Sequence, residues 1–509
     1  MPRRGPEKEQ PGEGESPRQR QKSLDVPRYL LSPGDEGYRT PTIEDVEKAD
    51  RQYQADRDRL FRALSNYEQQ ADGPLDSPSS EQEGQQESGL HMSALSLRER
   101  IRHFTWGFFT MTMATGGIAN VIHTVPFHFH GQYALGCIFF LLNIVLYIIN
   151  VSMISMRFIF FPRTLRASFI HPTESLFIPA SVVSLGTILL NISQYGLPRV
   201  GHWLHTTMMV MFWIYAGLAM IFSVVIYLMM WSTQTFTIGQ MTPIWIFPAY
   251  PLLIIGPQGA VLSSTLAKTR AYDIAIGAFT FQGIGFMVSL MIYAAFIYRL
   301  MTQKLPKESL RPGMFVSVGP AGFTATAVAN IAGNASRLLP ADFMGNGALA
   351  ADIVKVVGSF FAIWLWGLGI WFFLVSTGAH LSCVGPGKLD FSMTWYSFVF
   401  PNTALVTATF AIGHAFDSHA IQVVACVMSV VLVAAWLFVF AMMVRAIVLK
   451  QILWPQKGED RDEGGWKGDA LRGQMHDAYV PNGNGRGIGV GTGLGLGLGV
   501  GVMRRVGTA

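Results

Sequence analysis

The stretch WYSFVFPNTALVTATFAIGH, residues 395 to 414, carries no charge before its final histidine and is long enough to cross a bilayer. About 20 helical residues at 1.5 Å rise cover the roughly 30 Å hydrocarbon core, and backbone amides at that depth must be paired within the protein. A run of this kind therefore reads as a membrane helix. Ten such runs lie at approximately 104 to 122, 135 to 161, 174 to 195, 206 to 231, 243 to 266, 274 to 299, 313 to 333, 353 to 377, 394 to 413 and 420 to 449. Charged residues make up only 14% of the chain, against about 25% in soluble proteins. The expected class is an all-α membrane protein with ten transmembrane helices.

Three regions follow from composition. Residues 1–97 are rich in Pro, Glu, Gln, Ser and Arg and lack the apolar core of a secretory signal, which predicts a disordered cytoplasmic N-terminal region. Residues 98–454 form the ten-helix domain. Residues 455–509 are Gly-rich; alternate glycines in GIGVGTGLGLGLGVGVM each cost a helix about 1 kcal/mol, so a disordered cytoplasmic tail is expected rather than an eleventh span. Within the N-terminal region, Ser32, Thr40 and Ser77 precede proline, and residues 43 to 67 place Ile43, Val46, Tyr53, Leu60, Leu64 and Tyr67 on one helical face.

Orientation follows from basic residues in the short loops. With the N-terminus inside, the inner connections hold Arg157, Arg163, Arg166, Arg299, Lys304, Lys307, Arg311 and Lys388, whereas the outer ones hold only Arg199, Lys268, Arg270 and Arg337. Both termini are then cytoplasmic. The net charge of +5 is mostly this bias, and no nucleic-acid partner is implied. Cys137, Cys383 and Cys426 form neither a disulfide framework nor a metal motif.

Proline divides the spans into two kinds. The third carries Pro179, the fifth Pro243, Pro248, Pro251 and Pro257, the seventh Pro320 and the ninth Pro401, while the even spans carry none inside; the first has Gly116 and Gly117 at its middle. Backbone freed by proline is tolerated at membrane depth only where protein or water satisfies it. The reading is five helical hairpins around a central pore, odd helices inside and even helices facing lipid. Phe400, Thr403, Thr407, Ala411 and His414 share one stripe of the ninth span, and Thr105, Thr112, Thr115 and Ala119 one stripe of the first. The candidate path is lined by Thr112, Thr115, Gly116, Pro179, Pro248, Gly256, Pro320, Thr324, Pro401, Thr403 and Thr407. The competing reading is tight packing, since small residues and threonines also join membrane helices.

Acidic side chains are nearly missing from the odd spans, Glu174 being the clear exception. A cation path would carry Asp or Glu rings, so this lining favours an anion. Glu174 is a candidate for proton coupling if buried; at a helix start it equally suits the helix dipole. Phe400, ahead of Pro401, reads from position alone as a core aromatic and alternatively as a plug.

The stretches RHFTWGFFTMTMATGGIANVIH, NISQYGLPRVGHWLH, MIFSVVIYLMMWSTQTFTI, MTPIWIFPAYPLLIIGP and WYSFVFP resemble the tellurite-resistance/dicarboxylate transporter family, and within it the fungal malic acid permeases. The likeness covers roughly residues 98 to 450. It implies five hairpins around a central pore, a homotrimer, and movement of C4-dicarboxylates such as malate across the plasma membrane, tied in the fungal members to the proton gradient. It also implies a phenylalanine gate in the ninth helix, which falls on Phe400. Sulfite exporters and anion channels of the same superfamily are the alternative.

Three weaker signals remain. His123, His128 and His130 lie in VIHTVPFHFHG; no carboxylate or cysteine completes a metal site, so they read as polar loop residues, with sensing of external pH as the other reading. Asn334-Ala-Ser336 is a glycosylation sequon too near the membrane to be used. GxSxG, HExxH and paired intramembrane carboxylates are missing, so neither an enzyme nor a cofactor is expected.

Overall fold

The computed structural model describes residues 97–233, 238–381 and 391–453. The N-terminal region to residue 96 with its face at 43 to 67 and its proline-directed sites, Cys383, Lys388 and the Gly-rich tail lie outside the described residues. Every regular element among those described is helical. Ten helices carry the architecture: α1 (Phe109–Thr124), α2 (Gln132–Phe160), α3 (Glu174–Asn191), α4 (His202–Thr233), α5 (Tyr250–Ser263), α6 (Lys268–Gln303), α7 (Val318–Gly333), α8 (Gly347–Leu381), α9 (Phe400–Ala415) and α10 (His419–Val448). Eight stretches are long and apolar enough to cross a membrane. The other two helices, α1 and α9, have 16 residues each and are lengthened by 3₁₀ turns at Trp106–Phe108 and Met393–Phe398.

Two boundaries differ from expectation for a physical reason. The sequence predicts spans over 274 to 299 and 353 to 377, but α6 runs for 36 residues and α8 for 35. Apolarity marks only the part of a helix inside hydrocarbon, and the polar ends of α6, such as Lys268 and Arg270, continue the helix into water. A second difference concerns proline. Pro248 lies in a 3₁₀ segment (Pro243–Ala249), Pro251 and Pro401 stand in the first turns of α5 and α9, and Pro320 is the third residue of α7. A first-turn proline sacrifices no intrahelical bond. The breaks expected inside these spans are joints between 3₁₀ and α segments; only Pro179 and Pro257 interrupt an α-helix proper.

At the joints, three carbonyls that face a proline find another donor. Pro320 cannot donate to Val316, and the Tyr250 hydroxyl donates to the Val316 carbonyl instead. In the 3₁₀ segment Pro248 cannot donate to Trp245, whose carbonyl accepts from Tyr227 of α4 at 3.0 Å. The Phe398 carbonyl, three residues before Pro401, accepts from the Asn402 amide at 2.8 Å. Tyr293 of α6 adds a 2.6 Å bond to the Ser317 carbonyl. A phenol deep in an apolar helix is costly without such a partner, so each tyrosine fixes an outer or neighbouring helix to a joint.

Burial separates the helices. In the most apolar stretches of α3 and of segments 243–263 and 308–333, 83% to 89% of residues are buried, against 17% to 33% in α2, α4, α6, α8 and α10. Residues 103–122 are buried except Trp106, and residues 399–413 are buried throughout. The five buried helices touch in cyclic order: α1 meets α3, α3 meets α5, α5 meets α7, α7 meets α9 and α9 returns to α1. Each of the others covers a seam, α2 over α1 and α3, α4 over α3 and α5, α6 over α5 and α7, α8 over α7 and α9, α10 over α9 and α1.

One charged pair ties the start of this ring. Glu174, the first residue of α3, is fully buried and accepts from Arg157 Nη1 at 2.5 Å and from Ser168 at 2.9 Å. The same guanidinium donates to the Phe104 carbonyl at 2.8 Å, so α2, α3, the 163–170 helix and the approach to α1 share one node. Removing one member leaves a buried charge, at a cost of about 3–5 kcal/mol. Arg157→Met should therefore lower the yield of monodisperse protein in detergent and its unfolding temperature. Adding Glu174→Gln should restore part of both; no rescue would refute the pairing energetics.

Candidate functional site

Aromatic side chains converge near the starts of α5, α7 and α9. Phe400 opens α9, and its ring centroid lies 5.5 Å from that of Phe323 in α7 and 6.0 Å from that of Tyr250 in α5. Tyr250 stacks at 5.2 Å on Phe247, which lies 5.3 Å from Phe177 of α3. Phe400, Phe323 and Tyr250 are all buried. Close backbone approach makes this possible: a Cβ on Gly319 would collide with the Tyr250 hydroxyl, one on Gly117 would lie 2.8 Å from Thr403 Cγ2, and one on Gly322 would lie 2.7 Å from the Ala404 carbonyl carbon. Helices α1 and α7 thus press on α9 from two sides, just above Phe400.

In α3 only Ser181 and Leu185 are less than buried, on one stripe with Ile192 of the following π turn. That stripe lies between the face meeting α1, with Ser184, Thr187 and Asn191, and the face meeting α4 and α5, with Val182, Gly186 and Leu189. Val183 and Leu190 on the opposite side are buried. Val261 of α5 and Asn330 of α7 are half-buried in the same way.

The expected lining residues divide by where their hydroxyls go. Thr112 pairs with Ser184 at 2.7 Å across α1 and α3, and Thr407 with Thr326 at 3.2 Å across α9 and α7. Thr403 returns its proton to the Phe400 carbonyl at 2.6 Å. Thr115, by contrast, accepts from Trp436 of α10 at 3.1 Å, and Thr324 accepts from Gln282 of α6 at 2.8 Å. Gln282 also accepts from the Gly256 amide at 3.2 Å. Thr115, Thr324 and Gly256 therefore engage the outer layer. Gly116 leaves space for Asn143 and Thr187, whose polar atoms would lie 2.5 and 2.4 Å from a Cβ there. Pro179, Pro248, Pro320 and Pro401 are buried and shape the backbone.

Sequence reasoning missed Tyr250 and Phe323 beside Phe400, and the donors Gln282, Trp366 and Trp436. The last three follow one rule, an N–H in an outer helix given to a hydroxyl of an inner one; Trp366 donates to Thr409 at 2.9 Å. A tryptophan or glutamine inside an otherwise apolar span was the available signal. No cluster of three or more metal-ligating side chains occurs among the described residues.

Residues 103–444 match the family model described as a voltage-dependent anion channel, SLAC1. The chain belongs to this family. A malic acid transport protein of Schizosaccharomyces pombe is 33% identical over 365 residues, which cover 72% of this chain and 83% of that one. A sulfite efflux pump, SSU1, of Arthroderma benhamiae is 25% identical over 357 residues, covering 69% and 93%. The family resemblance read from the motifs is thereby shown.

The clasps make a stability prediction. Trp436→Phe and Thr115→Val should each destabilise the detergent-solubilised protein by about 1 kcal/mol, and together by less than the sum. Additive losses in denaturation curves would show that the two side chains do not act as a pair.

Proposed function

We propose that this chain is a plasma-membrane transporter of C4-dicarboxylates, chiefly malate, with residues 98–454 forming ten spans in five hairpins. The path runs inside the ring of α1, α3, α5, α7 and α9, past Thr112, Thr403 and Thr407, and Phe400 is its gate. The observation that carries the reading is the meeting of Phe400, Tyr250 and Phe323 inside a closed cycle of buried helices. The malic acid transport protein among its relatives supports the substrate class. Both termini face the cytoplasm, and the functional unit is a homotrimer.

The chemistry suits an anion. Helices α1, α5, α7 and α9 carry no Asp or Glu, and the one acidic side chain of α3, Glu174, is paired with Arg157. Hydroxyls and the amide-rich starts of the helices offer donors without a fixed positive charge, which would hold the anion too tightly for release. A dianion loses more hydration on entry than a monoanion, so partly protonated acid passes more readily and transport is linked to protons. Coupling through Glu174 requires its pair with Arg157 to open during the cycle.

Sulfite is the second reading, favoured by the long coverage of the SSU1 relative. Uptake of labelled malate against labelled sulfite into vesicles, with and without an acid gradient, separates the two. Phe400→Ala should raise malate flux several-fold by removing the constriction; equal or lower flux in folded protein contradicts the gate. Thr407→Val should reduce malate flux more than Thr280→Val, a change on the exposed face of α6. Equal effects reject the path assignment.

A further inference from the structure

At the end of the bundle away from Arg157 and Glu174, a cavity of about 350 Å³ is lined by His123, His128, Phe129, Gly131, Gln132, Tyr133 and Tyr195. Its floor is fixed. Gly131 has φ +96°, a left-handed turn that glycine allows, and it folds Gln132 back so that its amide nitrogen donates to the carbonyls of Ile122 at 2.8 Å and Val125 at 3.1 Å. With both donors used, the Gln132 side-chain oxygen faces His128 Nδ1 at 3.1 Å. An oxygen accepts, so His128 Nδ1 carries the proton. Nε2 is then the open nitrogen of neutral His128, and protonation adds a charge and a second donor there without breaking the bond to Gln132.

The remaining surroundings favour negative charge. His123, at the end of α1, packs edge-on against Tyr195 at 5.2 Å, with His128 close enough to interact with it electrostatically. Arg199 lies over the Tyr133 ring at 3.5 Å from its centroid, while the Tyr133 hydroxyl donates to the Tyr195 carbonyl at 3.3 Å. The other titratable groups nearby are Cys137 beside Tyr133, His130 in the same loop, and His419 of α10 against Phe127. None of the lining residues is Asp or Glu.

We propose that this cavity is a docking site for a small carboxylate anion at the mouth of the path, held between His123 and His128 when they are protonated, with Arg199 adding permanent positive charge. The site rests on the anion-transport reading given above. Burial, with His128 beside it, holds the His123 imidazole below its ordinary value, so occupancy grows as pH falls below the usual imidazole range and is lost as pH rises, while carboxylic acids stay ionised above about pH 4. His123 and His128 are then receivers of substrate rather than polar loop residues.

Footprinting of the full chain in nanodiscs with diethyl pyrocarbonate, which acylates unprotonated imidazole, tests this residue by residue. At pH 6, malate should slow modification of His123 and His128 by about fivefold or more, with no change at His130 or His202. His128→Asn should abolish the protection of His123. Unchanged rates with malate, or equal protection by chloride at matched ionic strength, would overturn the site. Malate flux is measured in parallel on the same preparation: flux without protection defeats the docking site alone, and protection without flux defeats the transport reading alone.

Discussion

A backbone carbonyl deprived of its donor cannot be left unpaired in hydrocarbon, and the inner layer of this protein is arranged around that requirement. Proline creates the need at Trp245, Val316 and Phe398, and Tyr227, Tyr250 and Asn402 meet it. The consequence reaches the candidate gate directly. Because the Tyr250 hydroxyl must reach the start of α7, its ring is held beside Phe400, and Gly319 is the residue that admits it. The aromatic cluster is thus a product of backbone repair as much as of apolar packing.

The outer layer follows from the same chemistry with the roles reversed. Its helices have only lipid on one side, so hydrophobicity does not hold them to the inner ring. Polar clasps do part of that work: Trp436 to Thr115, Trp366 to Thr409 and Gln282 to Thr324 each bind an outer helix to an inner hydroxyl. Threonine therefore serves two purposes on the same helix. In α1, Thr112 and Thr115 are three residues apart, about 60° around the axis, and this difference turns one toward α3 and the other toward α10.

That angle marks the limit of what the sequence reveals. Bilayer-length apolar runs, and the crowding of proline and small residues into alternate runs, are visible because they are properties of whole segments. The direction of a single hydroxyl is not, since a stripe drawn at helical spacing is blurred once 3₁₀ turns precede the helix, as before α1, α5, α7 and α9. Pro401 looks like a mid-span break because apolar residues continue on both sides; the helix in fact begins at Phe400. Phe400 was singled out through the WYSFVFP motif, whereas its partners Tyr250 and Phe323 depend on contacts between distant segments that no local pattern encodes. Glu174 was legible as a helix-start charge, but its partner Arg157 looked like one of many inner-loop cations.

The central claim is that water and anions reach the interior of the ring of buried helices. The most direct test is labelling of single cysteines with a small water-soluble methanethiosulfonate, in protein whose native cysteines are replaced by serine. Thr403→Cys and Thr407→Cys should react and be protected by malate, whereas Val224→Cys and Val430→Cys, on exposed apolar surfaces of α4 and α10, should stay unmodified. Sealed cysteines at 403 and 407 together with reactive ones at 224 and 430 would contradict the account.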